Sequence, residues 1–387
     1  MGASHSTCLH PSPDAEEKSS WASSFSPEEQ EQLRNLHAAC LAEASCFSET
    51  FHLPELPWFP AAFQKALGLR DLAKGSCMNE FGAGIAACCR AKRSDTLLVL
   101  YRVGTSTSKE MGAEELASVL EAAFVMAHEA WGRDLPARKF SADRLVASAM
   151  DSAGGASTLS FDQFHDWSLQ QAPLLCQCCS TWVVTRCFPG RSFTDADQSF
   201  CPPRLTERSV ILEHYMAEAF GMALSQKAMQ GSWVMIFTSE EDGLSFNRLC
   251  HGILGYVGRT ILLVRTTAGG VFGGLSVAPW KESNHFFGSD GAVFAWSPSF
   301  RVCTPKLPNN GAFQYLNLKS FELPHGLGFG GSTENFRLFI SETLEAEECV
   351  ARSSCLTFER GKICESPTFE VDVLEVWGVG GERWMDG

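Results

Sequence analysis

The sequence predicts an α+β chain: an all-helical N-terminal half followed by a β-sandwich with a few flanking helices. Three observations carry this. Asn335–Ser341, which Phe339 interrupts, and Phe369–Val373 alternate apolar and polar residues with period two, as half-buried antiparallel strands do, and the phase then shifts so that Leu374, Val376 and Trp377 are apolar around Glu375. Glu114–Trp131 instead places Leu116, Val119, Leu120, Ala123, Phe124 and Ala127 at helical spacing. Between the halves, residues 189–202 (PGRSFTDADQSFCP) have the composition of a linker. The expected organisation is an arm over 1–24, a helical domain over 25–188, the linker over 189–202 and a β domain over 203–381.

Composition bounds the function. The chain has 387 residues, enough for two domains of ordinary size, and 45% of them are hydrophobic. A net charge of −14 argues against a nucleic-acid partner and against simple electrostatic adhesion to anionic lipid. Sixteen cysteines follow a polar N-terminus with no apolar signal segment, so free thiols in a reducing compartment are expected. No stretch reads as a transmembrane helix; Trp167–Thr185 contains Pro173 and several polar residues and reads as a buried core helix.

The first residues, Met1-Gly2-Ala3-Ser4-His5-Ser6, fit the N-myristoylation pattern, with Gly2 as acceptor. One such chain binds membranes only marginally, and the acidic residues 14–29 exclude a basic second signal. Cys8 is the candidate for a second acyl chain. Ser26-Pro27-Glu28-Glu29 is a helix start with a capping box. Further helices are expected over Ala142–Met150 and from Phe161 toward Val184.

Two segments have the spacing of EF-hand loops. Leu159–Phe164 ends one, placing Ser152, Gly154, Ala156 and Gln163 at ligand positions. The other ends at Glu80, with Leu69, Asp71, Ala73 and Lys74 at the first, third, fifth and sixth positions. A calcium loop needs several carboxylates and a bidentate glutamate at its twelfth position, so neither is expected to hold calcium. Cys176, Cys178 and Cys179, with Cys187 and Cys201, lack the paired knuckles of a zinc site and read as core residues.

In the second half, one amphipathic helix is expected over Ser209–Leu224. Strands are expected at Trp233–Phe237, Thr260–Val264, Val271–Leu275, Ala292–Trp296 and Phe313–Leu316, with a helix from Ser245 through Leu249. Gly326, Gly328, Gly330 and Gly331 read as a loop before the strand at Asn335. That strand places Phe336, Leu338 and Ile340 opposite Asn335, Arg337 and Ser341. Glu375 reads as a solvated or edge carboxylate, with partner contact as its functional alternative.

Several pieces occur in the order of one family. They are Trp233-Val-Met-Ile-Phe-Thr-Ser239, Asp242-Gly-Leu-Ser-Phe246 and Val271-Phe-Gly-Gly274 with Trp280. Phe287-Gly288 and Leu327-Gly-Phe-Gly-Gly331 come next, then Cys355-Leu-Thr-Phe358 and Leu374-Glu-Val-Trp377. This half resembles the TLDc domain. The whole chain resembles the EAK-type, MTOR-associated TLDc proteins, which join a myristoylatable start and an EF-hand-like helical half to that domain. Two departures are Cys349-Val-Ala-Arg352, where the family has Gly-x-Ser, and a chain end at Gly387, where such relatives carry a longer tail that takes part in pump binding.

The resemblance implies a non-enzymatic adaptor, without cofactor or metal, on the cytoplasmic face of lysosomal or other endomembranes, with a cytosolic pool. Its implied partners are subunits of the vacuolar proton-pumping ATPase or another lysosomal complex, with a link to mTOR signalling or oxidative-stress resistance. The alternative is a thiol-based protective protein using Cys355 or the Cys176/Cys179 cluster. No nucleophile elbow supports a hydrolase, the Gly326–Gly331 run leads into a strand rather than a helix, and His251 and His285 are isolated.

Overall fold

The computed structural model describes residues 21–379 except 44, 70–75, 107, 137–139, 191–199, 214, 225–230, 298 and 308–310. Gly2, Cys8 and most of the expected linker lie outside these residues. In chain order the first helices are α1 (Pro27–Ala42), α2 (Cys46–Thr50), α3 (Phe59–Ala66), α4 (Met78–Cys89) and α5 (Arg93–Gly104). Strand β1 (Met111–Gly112), α6 (Ala113–Ala130), α7 (Asp143–Ser152), β2 (Thr158–Leu159), α8 (Phe161–Gln171) and α9 (Leu175–Cys187) follow. The second half runs β3 (Arg204–Leu205), α10 (Met216–Leu224), β4 (Ser232–Thr238), α11 (Ser239–Asp242), α12 (Phe246–Ile253), β5 (Arg259–Thr266) and β6 (Val271–Ser276). It ends with β7 (Gly291–Ser297), β8 (Arg301–Cys303), β9 (Gln314–Asn317), β10 (Gly326–Ser332), β11 (Asn335–Ser341), β12 (Val350–Ala351) and β13 (Val371–Val379).

The chain divides into two compact units. The first comprises residues 1–111, 118–133 and 176–199; the second comprises 112–117, 134–175 and 200–387. In the first, α1 opens with the expected capping box: Ser26 Oγ accepts from the Glu29 amide, and the Glu29 carboxylate accepts from the Ser26 amide. Its core is aromatic. Phe59 and Phe63 stack at 5.3 Å, and Trp182 meets Phe59 edge-on at 5.6 Å. The indole N–H of Trp182 is satisfied by Glu129 at 2.8 Å, and Arg186 donates to the same carboxylate.

The expected helix from Phe161 toward Val184 is two helices, α8 and α9, broken at Ala172–Leu174. Pro173 has no N–H to donate and its ring clashes with the preceding turn, so the helix stops before it.

The second unit holds a two-sheet sandwich. The larger sheet has strand order β3-β4-β13-β5-β6-β7-β8 and the smaller β12-β11-β10-β9. The closing strand β13 lies in the middle of the larger sheet, antiparallel to both β4 and β5. Its apolar phase changes between Val371 and Leu374, which both face the core, and there the strand shifts register against β5 between Val371 and Val373. The inner faces meet closely: an added Cβ on Gly274 would lie 2.7 Å from the ring of Phe329. Trp280 stands edge-on to that ring at 5.5 Å.

Two further expectations are corrected here. Gly326–Gly331 is not a loop but most of β10, paired on both sides. Its glycines leave room for rings, since a Cβ on Gly328 would meet Phe336 at 2.7 Å and one on Gly330 would meet Phe358 at 2.6 Å. In β11, Leu338 and Ile340 join the main core, whereas Phe336 stacks on Phe339 at 4.4 Å in a separate cluster with Tyr315. Arg337, expected on the polar side, is fully buried.

Candidate functional site

Two places in the β domain gather functional-looking groups, one internal and one at the surface. The internal one is built on Glu375, in the middle of β13 and fully buried. This overturns its reading as a solvated edge carboxylate. One oxygen accepts the amides of Val210 at 2.7 Å and Ile211 at 3.2 Å. The other accepts the hydroxyl of Ser209 at 2.5 Å and the indole N–H of Trp377 at 3.0 Å. Ser209 Oγ in turn accepts the amides of Ile211 and Leu212. Four donors on one carboxylate satisfy its desolvated charge. The cluster also explains why the expected Ser209–Leu224 helix starts only at Met216: amides of residues 210–212 point at Glu375 and Ser209. Its chemistry is to anchor that segment.

The surface place is the β9–β10 connection. Asn317, itself buried, donates its side-chain amide toward the carbonyls of Ser320 at 2.9 Å and Pro324 at 3.2 Å. Its oxygen accepts the Ser320 amide at 2.9 Å. Glu282 accepts the Leu318 and Lys319 amides, and the Tyr315 hydroxyl donates to the Pro324 carbonyl. On this pinned loop Phe321 is 93% exposed, with the His325 ring beside it at 5.2 Å. Phe321, Leu323, Pro324, His325, Phe339, Ser341, Glu342, Thr343 and Glu348 line an open cleft of about 550 Å³. His325 contacts Glu342 at 3.0 Å. The hydroxyls of Ser341 and Thr343 hold the Glu348 carboxyl below its usual range, so the cleft has one apolar lip and an anionic wall. A lone exposed phenylalanine carries no period, so sequence patterning did not mark it.

The residues singled out from the sequence are scattered. Cys355 is buried, and its sulfur accepts the Phe358 amide at 3.2 Å. Cys176, Cys178 and Cys179 are buried on α9; burial raises the thiols of Cys176 and Cys178, and Cys179 is hydrogen-bonded to Cys88 of α4. Among the described residues, no three His, Cys, Asp or Glu side chains are grouped to hold a metal ion. His251 and His285 are both exposed, and His285 lines a second open cleft with Glu282 and with Asn317, Lys319 and Ser320 of the β9–β10 connection.

The EF-like spacing at Ser152–Gln163 is framed by α7, β2 and α8, with β2 at the seventh and eighth loop positions. Half of the other expected loop, residues 70–75, lies outside the described ones. The structure frames another such loop between α5 and α6, with β1 inside it. Counting Met111 as its eighth position puts Glu115 at the twelfth and Ser106 and Ser108 at the third and fifth. The signal that could have found it is Glu115 at the twelfth position, four residues after the apolar Met111.

The comparisons with known proteins fit this geometry. Residues 205–380 match the model of the TLDc domain. The chain is 34% identical to the MTOR-associated protein MEAK7 of Xenopus laevis over 39% of its length and 33% of that protein's. Against the human protein of that name it is 30% identical, over 38% of this chain and 32% of the relative. Human nuclear receptor coactivator 7 is 26% identical over 48% of this chain and 19% of its own length. The chain thus spans about a third of the length of the MTOR-associated relatives it matches. By their match to the family model, residues 205–380 are a TLDc domain.

Proposed function

We propose that this protein is a non-enzymatic adaptor whose TLDc domain docks on a lysosomal complex, the vacuolar proton-pumping ATPase being the partner to test first. The observation that carries this reading is Phe321, 93% exposed on a loop already fixed by Asn317. An aromatic anchor on a rigid loop pays little ordering entropy on binding and is the residue type that dominates interface energies. Similarity to MTOR-associated protein MEAK7 and to oxidation resistance protein 1 supports a regulatory role in mTOR-linked or oxidative-stress signalling. Myristoylation of Gly2, with acylation of Cys8 as the second membrane signal, supplies the tether in this reading.

The test is a pulldown from detergent-solubilised endomembranes with the wild type and Phe321→Ala. Recovery of pump subunits by the wild type, reduced at least tenfold by the variant, is expected. Recovery of no pump subunit would remove the named partner, and equal recovery by both would remove the Phe321 surface. For the tether, Gly2→Ala moves the protein from the membrane to the soluble fraction; unchanged fractions would end the lipid claim.

A further inference from the structure

The sulfur of Cys40 lies 3.6 Å from that of Cys46, with the Cys40 thiol directed at it. Cys40 is in the last turn of α1 and Cys46 opens α2. The Glu43 amide still bonds the Ala39 carbonyl, and the Cys46 amide bonds the Glu43 carbonyl at 3.1 Å. A disulfide bond is about 2.05 Å long, so closing the gap takes about 1.5 Å, within reach of small side-chain rotations. The two thiols differ in access. Cys40 is buried and Cys46 is half-buried, so Cys46 is the one nearer to solvent. This sets them apart from Cys88 and Cys179, which also touch but are both buried.

We propose that Cys40 and Cys46 are a reversible dithiol–disulfide pair, oxidised by a hydroperoxide at Cys46 and closed by Cys40. In the first step the Cys46 sulfur attacks the peroxide. An S–O bond forms, the O–O bond breaks, and the remaining oxygen leaves as water or an alcohol, taking up the Cys46 proton. In the second step the Cys40 sulfur attacks the Cys46 sulfur. The S–S bond forms, the S–O bond breaks, and the departing hydroxide takes the Cys40 proton and leaves as water. Two thiols are oxidised by two electrons in all, and one hydroperoxide is reduced. Burial, and the hydrogen bond to Cys46, push the Cys40 thiol up to about 12, so it is protonated at neutral pH and attack on peroxide falls to its neighbour. The pair is independent of the adaptor reading and uses neither Cys355 nor the α9 thiols.

The chain offers a clean readout. Cleavage after Arg34 and Lys65 gives a peptide, Asn35 to Lys65, whose only cysteines are Cys40 and Cys46. The full-length protein is treated with hydrogen peroxide, denatured, alkylated with iodoacetamide, digested with trypsin and weighed. The expected product is this peptide lighter by two hydrogens and unalkylated, with both alkylatable thiols restored by dithiothreitol. In Cys40→Ser, Cys46 is expected to be trapped by dimedone as the sulfenic acid; in Cys46→Ser, Cys40 stays reduced. If the peptide is still alkylated twice when the exposed Cys77 has been oxidised, the pair is overturned. Equal oxidation of Cys40 in Cys46→Ser would overturn the assigned order of attack.

Discussion

The carboxylate of Glu375 accepts the backbone amide of Val210 at 2.7 Å, tying the segment ahead of α10 to the central strand of the larger sheet. Because each carboxylate oxygen receives two donors, an amide cannot replace it. Glu375→Gln would turn an NH2 group toward donors that need an acceptor. A loss of about 2–4 kcal/mol is expected, since a buried donor left unsatisfied costs about 1–3 kcal/mol and charged acceptors cost more. Ser209→Ala, which removes one donor to Glu375 and one acceptor, should cost about 1–2 kcal/mol. Urea unfolding measures both, and a Glu375→Gln midpoint equal to wild type would show that the cluster does not anchor the segment.

Gly273 marks where the larger sheet admits no side chain. A Cβ there would lie 1.9 Å from the carbonyl oxygen of Leu262 and 3.0 Å from the ring of Phe294. The first obstacle is the backbone of the neighbouring strand, which cannot rotate away. Gly273→Ala should therefore cost more than about 3 kcal/mol, at the upper end for single substitutions, or prevent folding. Gly269, at φ +82° with open space around it, is the control. Its alanine variant carries only left-handed strain, about 1 kcal/mol. Thermal unfolding of the two variants should rank them in that order.

How far the sequence could be read follows from which forces left a pattern. Period-two runs located β11 and β13, and the phase change ahead of Leu374 is the register shift against β5. Fold class followed from those runs and from the TLDc pieces. The glycines of β10 misled because composition cannot separate a glycine that turns from one that makes room for a ring. Glu375 misled for a related reason. Three of its four donors come from Ser209–Ile211, more than 160 residues away, and nothing local announces those. Phe321 was invisible because exposure of one aromatic residue is set by the loop that Asn317 folds. Cys40 and Cys46 are six residues apart, but their contact depends on how α1 turns into α2.

His128, near the end of α6, gives the first unit an acid-sensitive element. The ring is buried, and burial lowers its pKa from the ordinary 6.5; the nearby Arg133 cation acts in the same direction, while the hydrogen bond to the Phe124 carbonyl opposes both. The unfolded chain therefore binds the proton at a higher pH than the folded one. The contribution of His128 is fully present above about pH 6.5 and is lost as pH falls through that value toward the folded pKa. Amide hydrogen exchange along α6 should quicken on acidification from pH 7 to 5, after correction for intrinsic rates. His128→Gln should flatten that dependence. An unchanged pH profile in the variant would assign the acid sensitivity to other groups.

Arg337 is a buried cation that is only partly satisfied. One terminal nitrogen donates to the Gly361 carbonyl at 2.5 Å and contacts the Cys303 sulfur at 3.3 Å, while Nε and the other terminal nitrogen have no hydrogen-bond partner among the described residues. Burying a charge costs several kcal/mol, and a pair of neutral acceptors recovers only part of it. Methionine has similar length and no charge to desolvate. Arg337→Met is therefore expected to be neutral or to stabilise by about 1–3 kcal/mol, as when buried ionic groups are exchanged for apolar ones of like volume. Arg337→Ala leaves a void among Cys303, Gly361 and the strand, and should destabilise by about 2 kcal/mol or more. The opposite signs separate charge from volume in one urea-unfolding experiment. A loss of stability in the methionine variant as large as in the alanine variant would mean that the guanidinium contributes more through its two hydrogen bonds than its burial costs.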